Sequence, residues 1–294
     1  MSNYTKRQWE IALDDTVFIA ATNGQQFKAT FEVLHDFGGY TSYADIALYN
    51  LSAYTANKAF KRGTKLSLKA GYEETIDNIF TGTIQNVLRE RIGPDTITRL
   101  ICRGGKLTDE QTQINETLGK NVKATDIIRA CVKAMEYQIV MNDDQFSDID
   151  PYPYGYALSG DPRVYLDNLA KTHAFNYVIE NERVIVVREG FARDGETHVV
   201  SQFTGMEGIP ELTQVGVDVM IRLNPKIRIG GKYRIKSDLA TFNFSNLYFV
   251  DIPESAGKGE YQIFRVSHTG DTKGDAWSTR ITGYRLKQTS GQLN

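Results

Sequence analysis

The sequence predicts an α+β protein that is mainly β: two similar antiparallel β-barrels with an α+β middle segment. Three observations lead there. Apolar and polar side chains alternate over long stretches, as at 65–69, where Leu66 and Leu68 share one face and Lys65, Ser67 and Lys69 the other. Only the middle of the chain switches to apolar residues at helical spacing. The block of residues 57–105 also recurs in outline near residues 224–281.

The first part, residues 1–105, opens with a hairpin expected over 11–33. Ile11 and Leu13 alternate with polar residues, and 17–21 is apolar. Asn23-Gly24 suits the positive φ angles of a type I′ turn, and Phe27, Ala29, Phe31 and Val33 alternate again. Residues 35–40 read as a glycine-containing loop and 46–51 as a strand. After the strand at 65–69, Ala70-Gly71-Tyr72 reads as a glycine turn. Residues 79–84 then lead into a long strand ending near Glu90. Gly93-Pro94-Asp95 turns the chain, and 96–102 returns. About six strands result, enough to close a small barrel or sandwich.

Residues 106–204 form the expected α+β segment. Thr125 reads as an N-cap with Asp126 in the first turn. Ile127, Ile128, Cys131, Val132 and Met135 follow as one apolar stripe. Residues 142–156 carry four aspartates (Asp143, Asp144, Asp148, Asp150) and then Tyr152, Tyr154 and Tyr156, a long aromatic loop. Asp161-Pro162 starts a second helix whose buried face is Tyr165, Leu166, Leu169 and Ala170. Residues 177–179 and 184–187 flank a hairpin turn at 180–183. From 205 to 294 the pattern is β again: Val215, Val217 and Val219 alternate, residues 222–225 turn, and Tyr233 and Ile235 alternate. A polar loop at 251–260 precedes strands at 261–267 and 277–286.

Length and composition fit a soluble globular protein. The 294 residues suggest roughly two domains at about 100–200 residues each. A formal net charge of −2 gives no overall attraction to nucleic acid or an anionic membrane. Two cysteines, Cys102 and Cys131, lie in no metal-ligand pattern and read as buried thiols. No leader-like start and no membrane-length apolar run is present, so folding in a reducing cytoplasm is the expectation.

The recurrence is specific. With Asn57 set on Asn224, Gly63 falls on Gly230, Lys65 on Lys232, Leu66 on Tyr233 and Leu68 on Ile235. With Gly93 set on Gly274, Thr98 falls on Thr279, Arg99 on Arg280 and Leu100 on Ile281. The order is kept, and glycines and same-sign charges are among the matches. Any two strand sequences can also be slid into partial agreement, so chance is the competing explanation.

No spacing points to an active site, and no cofactor is expected. His35, His173, His198 and His268 are scattered, without a metal-ligand motif. His268-Thr-Gly-Asp271 reads as turn chemistry. His173, ending the second helix, could complement its dipole. The aspartates at 143–150 lack the glycine and glutamate of a calcium loop, and the acidic pairs at 73–74 and at 180 and 182 read as solvated turns. Lys58, Lys61, Arg62 and Lys65 form the densest basic cluster, either a phosphate-binding surface or a charged strand edge. With Tyr152, Tyr154 and Tyr156, the residues Lys58, Lys61 and Arg62 are the candidate partner interface; the tyrosines read equally as a packed loop.

Two passages carry a resemblance. One is residues 47–52 (Ala-Leu-Tyr-Asn-Leu-Ser), with 63–72 and 79–84 after it. The other is 266–271 (Val-Ser-His-Thr-Gly-Asp), followed by 277–281. Together they resemble the baseplate hub proteins of contractile-tailed bacteriophages and prophages, over roughly residues 10–287. The resemblance implies a homotrimer whose two tube-like barrels per chain form a pseudo-sixfold ring. It implies a tail tube protein on one side, a central spike protein on the other, and a channel for tape measure protein and, in transit, DNA. It also implies contact with other baseplate proteins, a place in the virion after assembly in the bacterial cytoplasm, no membrane insertion and no enzymatic turnover. The alternatives are a small tail-associated cell-wall hydrolase and a carbohydrate-binding β module.

Overall fold

The computed structural model describes residues 7–20, 27–39, 41–106, 111–213, 216–236, 243–244 and 259–286. The first β part holds β1 (Arg7–Leu13), β2 (Thr16–Ala20), β3 (Ala29–Asp36), β4 (Tyr43–Tyr49), β5 (Lys65–Tyr72), β6 (Asp77–Ile92) and β7 (Asp95–Arg103), with helix α1 (Ala53–Ala59). The middle holds β8 (Ile114–Leu118), α2 (Ala124–Ala134), β9 (Gln138–Val140), β10 (Tyr156–Gly160), α3 (Pro162–His173), β11 (Phe175–Glu180), β12 (Arg183–Arg188) and β13 (Thr197–Val200). The last β part holds β14 (Met206–Leu212), β15 (Gly216–Arg222), β16 (Lys232–Ile235), β17 (Asn243–Phe244), β18 (Glu260–Asp271) and β19 (Trp277–Arg285).

The expected fold class, α+β and mainly β, is the one observed. Strand pairing runs both β parts into one 14-stranded sheet, ordered β17-β14-β15-β19-β18-β3-β4-β7-β6-β5-β1-β2, with β16 on β18 and β13 on β16. Strands β8 and β10 form a small sheet, and β11, β12 and β9 another. Apolar residues gather into a cluster for each β part and one for the middle segment. A fourth, small cluster of Phe37, Val178, Ile185, Val187 and Ile229 lies where the three meet.

Several local expectations are corrected. The first hairpin turns at Asp14 and Asp15, both left-handed (φ 46° and 63°), and joins β1 to β2. Among the described strands, β2 pairs with β1 alone, while β3 lies between β4 and β18, so long-range pairing takes the strand assigned to the Asn23-Gly24 hairpin. That turn pair lies outside the described residues. His35 and Asp36 finish β3 rather than opening a loop. Gly71 lies within β5, where a Cβ would meet the Thr75 carbonyl oxygen at 2.6 Å; the turn follows it, with Thr75 N–H donating to Tyr72 C=O at 2.8 Å. Ser52 caps the unanticipated helix α1 by accepting from Thr55 N–H at 3.0 Å. Helix α2 starts one residue before the proposed cap, so Thr125 is buried within it, and the Asp126 carboxylate accepts from Lys123 N–H at 3.3 Å. His268 to Asp271 complete β18 instead of turning.

The second helix, the hairpin between β11 and β12 and the apolar stripe of α2 form as their patterns indicate. Asp161 accepts from Arg163 N–H at 2.9 Å at the head of α3. Asn181 and Glu182 make the hairpin turn at positive φ.

Strands β15 and β19 face each other through glycines. A Cβ on Gly216 would lie 1.7 Å from the Gly283 carbonyl oxygen, and one on Gly283 would lie 2.2 Å from the Tyr233 hydroxyl. That buried hydroxyl donates to Val217 C=O at 2.7 Å. Gly283→Ala should therefore cost about 1–3 kcal/mol of stability through overpacking, read as a lower urea midpoint at unchanged slope; an unshifted midpoint would refute the packing argument.

Candidate assembly interface

The strand edges and the basic and aromatic surfaces are the places where this molecule can meet another. Strand β18 uses one side twice. Residues Glu260 to Gln262 pair with β16, and Arg265 to Asp271 pair with β3. Across the second pairing, Arg265 Nε donates to the Asp36 carboxylate at 2.8 Å.

Two buried histidines sit on that junction. His35 lies on β3 and His268 on β18, with ring centroids 6.2 Å apart. His35 Nε2 is 2.8 Å from the Ile79 carbonyl oxygen, which can only accept, so this nitrogen carries the proton. Nδ1 then accepts from the Ser42 hydroxyl at 2.6 Å. The Ser42 N–H donates to Ile179 C=O at 3.1 Å, tying the first β part to the middle segment. A Cβ on neighbouring Gly104 would lie 2.9 Å from that same Ile179 oxygen. His268 Nδ1 is 2.8 Å from Thr279 Oγ1, which accepts from Asn224 N–H at 3.0 Å. Burial pushes both imidazoles below their ordinary range; the nearby Glu180 carboxylate pulls His35 the other way but does not win.

The two β parts share a hydrogen-bond plan. Both have the order β3-β4-β7-β6-β5 or, correspondingly, β14-β15-β19-β18-β16. Gly63 N–H donates to Ile84 C=O at 2.8 Å, and Gly230 N–H to Ile263 C=O at 2.7 Å. Both glycines are left-handed, with φ of 89° and 76°. The pairing of β6 with β7 skips Gln85, and that of β18 with β19 skips Phe264, each a one-residue bulge after the matched isoleucine. Thr98 and Thr279 pair with Arg89 and His268 at the same step past the bulge, and Arg99 and Arg280 with Leu88 and Ser267. Arg99 chelates Asp45 of β4, with Nε at 2.8 Å and 2.9 Å from the two oxygens; Arg280 holds Asp218 of β15 at 3.2 Å. Lys65 and Lys232 face Thr83 and Gln262.

Two of the sequence matches fall elsewhere. Asn57 lies in α1, whereas Asn224 follows β15, where its Oδ1 accepts from Lys226 N–H at 3.0 Å. Pairing makes Leu51 the counterpart of Asn224, because Asn50 N–H donates to Thr96 C=O as Leu223 N–H does to Trp277 C=O. Gly93 is left-handed in a tight turn (φ 60°); Gly274 N–H donates to the Asp271 carboxylate at 2.9 Å in a longer one.

The expected interface residues are scattered. Lys58 closes α1, its Nζ over the Tyr54 ring at 5.8 Å; Lys61 and Arg62 follow that helix, and Lys65 opens β5, which is paired on both sides. Lys61 accepts from Thr64 N–H through its carbonyl at 3.1 Å. Arg62 lines a cavity of about 300 Å³ with Arg103, Lys106, Asp161 and Arg163. Three of these cations are already engaged: Arg103 with Thr41, Lys106 with Glu136 and Arg163 with Asp161. Tyr152 and Tyr156 pack on the middle core, whereas Tyr154 is 93% exposed. The Tyr152 hydroxyl is 2.8 Å from His173 Nε2, and burial keeps that imidazole below its ordinary range, so it adds no charge to the helix end. In the aspartate-rich loop, Asp143 pairs with Arg129 and Asp148 with Arg188. Cys102 and Cys131 are buried free thiols.

Comparison with known proteins adds a family and a fold. The family described as Baseplate hub gp41 matches residues 17–250. No curated protein matches the chain. Among solved structures, the tail protein from Neisseria meningitidis MC58 is similar at a TM-score of 0.62 and 8% identity, covering 95% of this chain and 97% of that one. The prophage MuSo2 43 kDa tail protein from Shewanella oneidensis follows at 0.59 and 10%, covering 95% and 98%. An Escherichia coli component of the type VI secretion system is similar at 0.56 and 9%, covering 95% and 77%.

The buried histidines give a pH prediction. Their folded pKa values lie below the unfolded value of about 6.5, so the unfolded chain binds more protons between the two. Stability should be full above about pH 6.5 and fall as pH drops below it, by up to about 1.4 kcal/mol per pH unit for each histidine. Urea titrations at pH 7.5 and 5.5 check this, and His268→Gln should flatten the dependence; an equally steep fall in that variant would exclude His268 as a cause.

Proposed function

The chain belongs to the Baseplate hub gp41 family, and from that premise we propose that it is the structural hub of a contractile phage tail. Three copies form a ring with pseudo-sixfold symmetry, joining a hexameric tail tube to a central spike. The ring encloses the channel that holds tape measure protein and later passes DNA. Other baseplate proteins attach around it. The hub does its work in the virion, after assembly in the bacterial cytoplasm, and turns over no substrate.

One observation supports this reading above the others. Two β parts with matched strand order, bulge position and Arg–Asp pairing are joined edge to edge within a single chain. A molecule that presents nearly the same unit twice meets a sixfold partner with three copies, because closed rings repeat one contact. We read the two parts as copies of one tube-like unit, residues 1–105 and 205–294, with residues 106–204 as the α+β segment between them.

Native mass spectrometry and electron microscopy of the purified chain test the proposal. The expected species is a trimer, seen end-on as a ring with six similar lobes, alone or with its tube and spike partners. A chain that stays monomeric with those partners present would reject it.

A further inference from the structure

The Ser42 hydroxyl has two acceptors within reach. His35 Nδ1 is 2.6 Å from Oγ, and the Ile179 carbonyl oxygen is 3.0 Å from it. A hydroxyl carries one hydrogen and serves one of them at a time. Nε2 of His35 keeps its proton on the Ile79 carbonyl, so neutral His35 takes the Ser42 hydrogen at Nδ1. The contact between Oγ and Ile179 then has no hydrogen in it. A proton arriving at Nδ1 reverses the arrangement. Nδ1–H donates to Oγ, Oγ–H donates to Ile179 C=O, and Nε2–H stays on Ile79, so each of these hydrogens has an acceptor.

The charge that comes with the proton also meets a partner. Glu180 ends β11 and is 4% exposed, and its Oε1 has no hydrogen-bond partner among the described residues. That oxygen is 3.9 Å from His35 Nδ1. Three things oppose the charge: burial, Arg193, whose Nη1 is 3.7 Å from Glu180 Oε2, and Arg228, itself paired with Asp77 at 3.3 Å. His268 on β18 has no such carboxylate. Its partner Thr279 is neutral, and the charged groups that bear on it are Arg228 and a protonated His35. The two rings are buried with centroids 6.2 Å apart, so a charge on one disfavours a charge on the other. The pair has a place for one proton, and that place is His35.

We propose that His35, Ser42 and Glu180 form a single-proton switch at the junction of the first β part with the middle segment. The proton comes from solvent, and only hydrogen bonds change. In the protonated form the middle segment receives the Ser42 hydroxyl on Ile179 and an ion pair from β3 to the end of β11. Below the switching pH the first β part is therefore held to the middle segment by charge as well as by hydrogen bonds. The β3–β18 ladder gains neither contact. The switch is a property of the single chain and does not depend on the ring proposed above.

Histidine-selective nitrogen NMR of the full chain, titrated downward from pH 7.5, tests this without any substitution. Of the two buried imidazoles, His35 should gain a proton first, at Nδ1 and with the fold intact, while His268 stays neutral through that step. Protonation of His268 first, or loss of the fold before either ring is protonated, would overturn the proposal. Glu180→Gln should lower the His35 midpoint by about one pH unit. Arg193→Gln, at a partly exposed position, should raise it. A midpoint unmoved in both variants would remove the carboxylate from the switch and overturn it. Ser42→Ala leaves Nδ1–H without an acceptor and should also lower the midpoint; an unchanged value there would refute the hydroxyl reversal.

Discussion

Everything in this fold turns on one strand having two neighbours along the same side. Strand β18 gives its first residues to β16 and its later ones to β3. The first pairing completes the last β part, and the second splices that part onto the first. Without the splice the two halves are separate sheets that touch through side chains. With it they share a backbone hydrogen-bond ladder, and their relative orientation follows from register and twist rather than from surface packing. The Arg265–Asp36 pair and the facing of Phe31 with Trp277, centroids 5.4 Å apart, then fill in around a geometry already fixed.

The middle segment is fastened at the same place. Ser42 gives its N–H to Ile179, its hydroxyl to His35, and its carbonyl to Gly104 N–H at 2.7 Å. Three elements distant in sequence thus meet at one small polar knot under the apolar cluster of Phe37, Val178 and Val187. Polar groups this deeply buried are costly unless partnered. Gly104 leaves room for the knot, because a Cβ there would lie 2.9 Å from the Ile179 carbonyl oxygen.

Much of this was legible in the sequence, and the failures have identifiable causes. Period-two alternation found β5, β7 and β16 because each has one buried face. The long strand expected there forms as β6, although strict alternation counted from Ile84 would send Leu88 into the core. The bulge at Gln85 shifts the phase, so Val87 packs inward and Leu88 points out. The same shift operates at Phe264, after which Val266 is buried. Gly63 and Gly230 both adopt positive φ, and Arg99 and Arg280 each hold a carboxylate. Asn57 and Asn224 agreed in letter alone. The partner of β3 could not be read locally, since nothing near 29–36 in the sequence encodes a strand beginning at Glu260.

The β3–β18 pairing also sets an order in time. Arg265 and Asp36 are separated by 229 positions, so the ladder between them closes late. The middle segment draws its apolar cluster from residues between Ile114 and Val186 and can condense while synthesis continues. The first β part emerges earlier but waits with one edge of β3 uncovered until β18 arrives. During that interval β3 is open to any other chain emerging nearby, and a crowded polysome is where a wrong partner would be met. Synthesis thus has a vulnerable window, whose length is the time the ribosome needs to travel from β3 to β18.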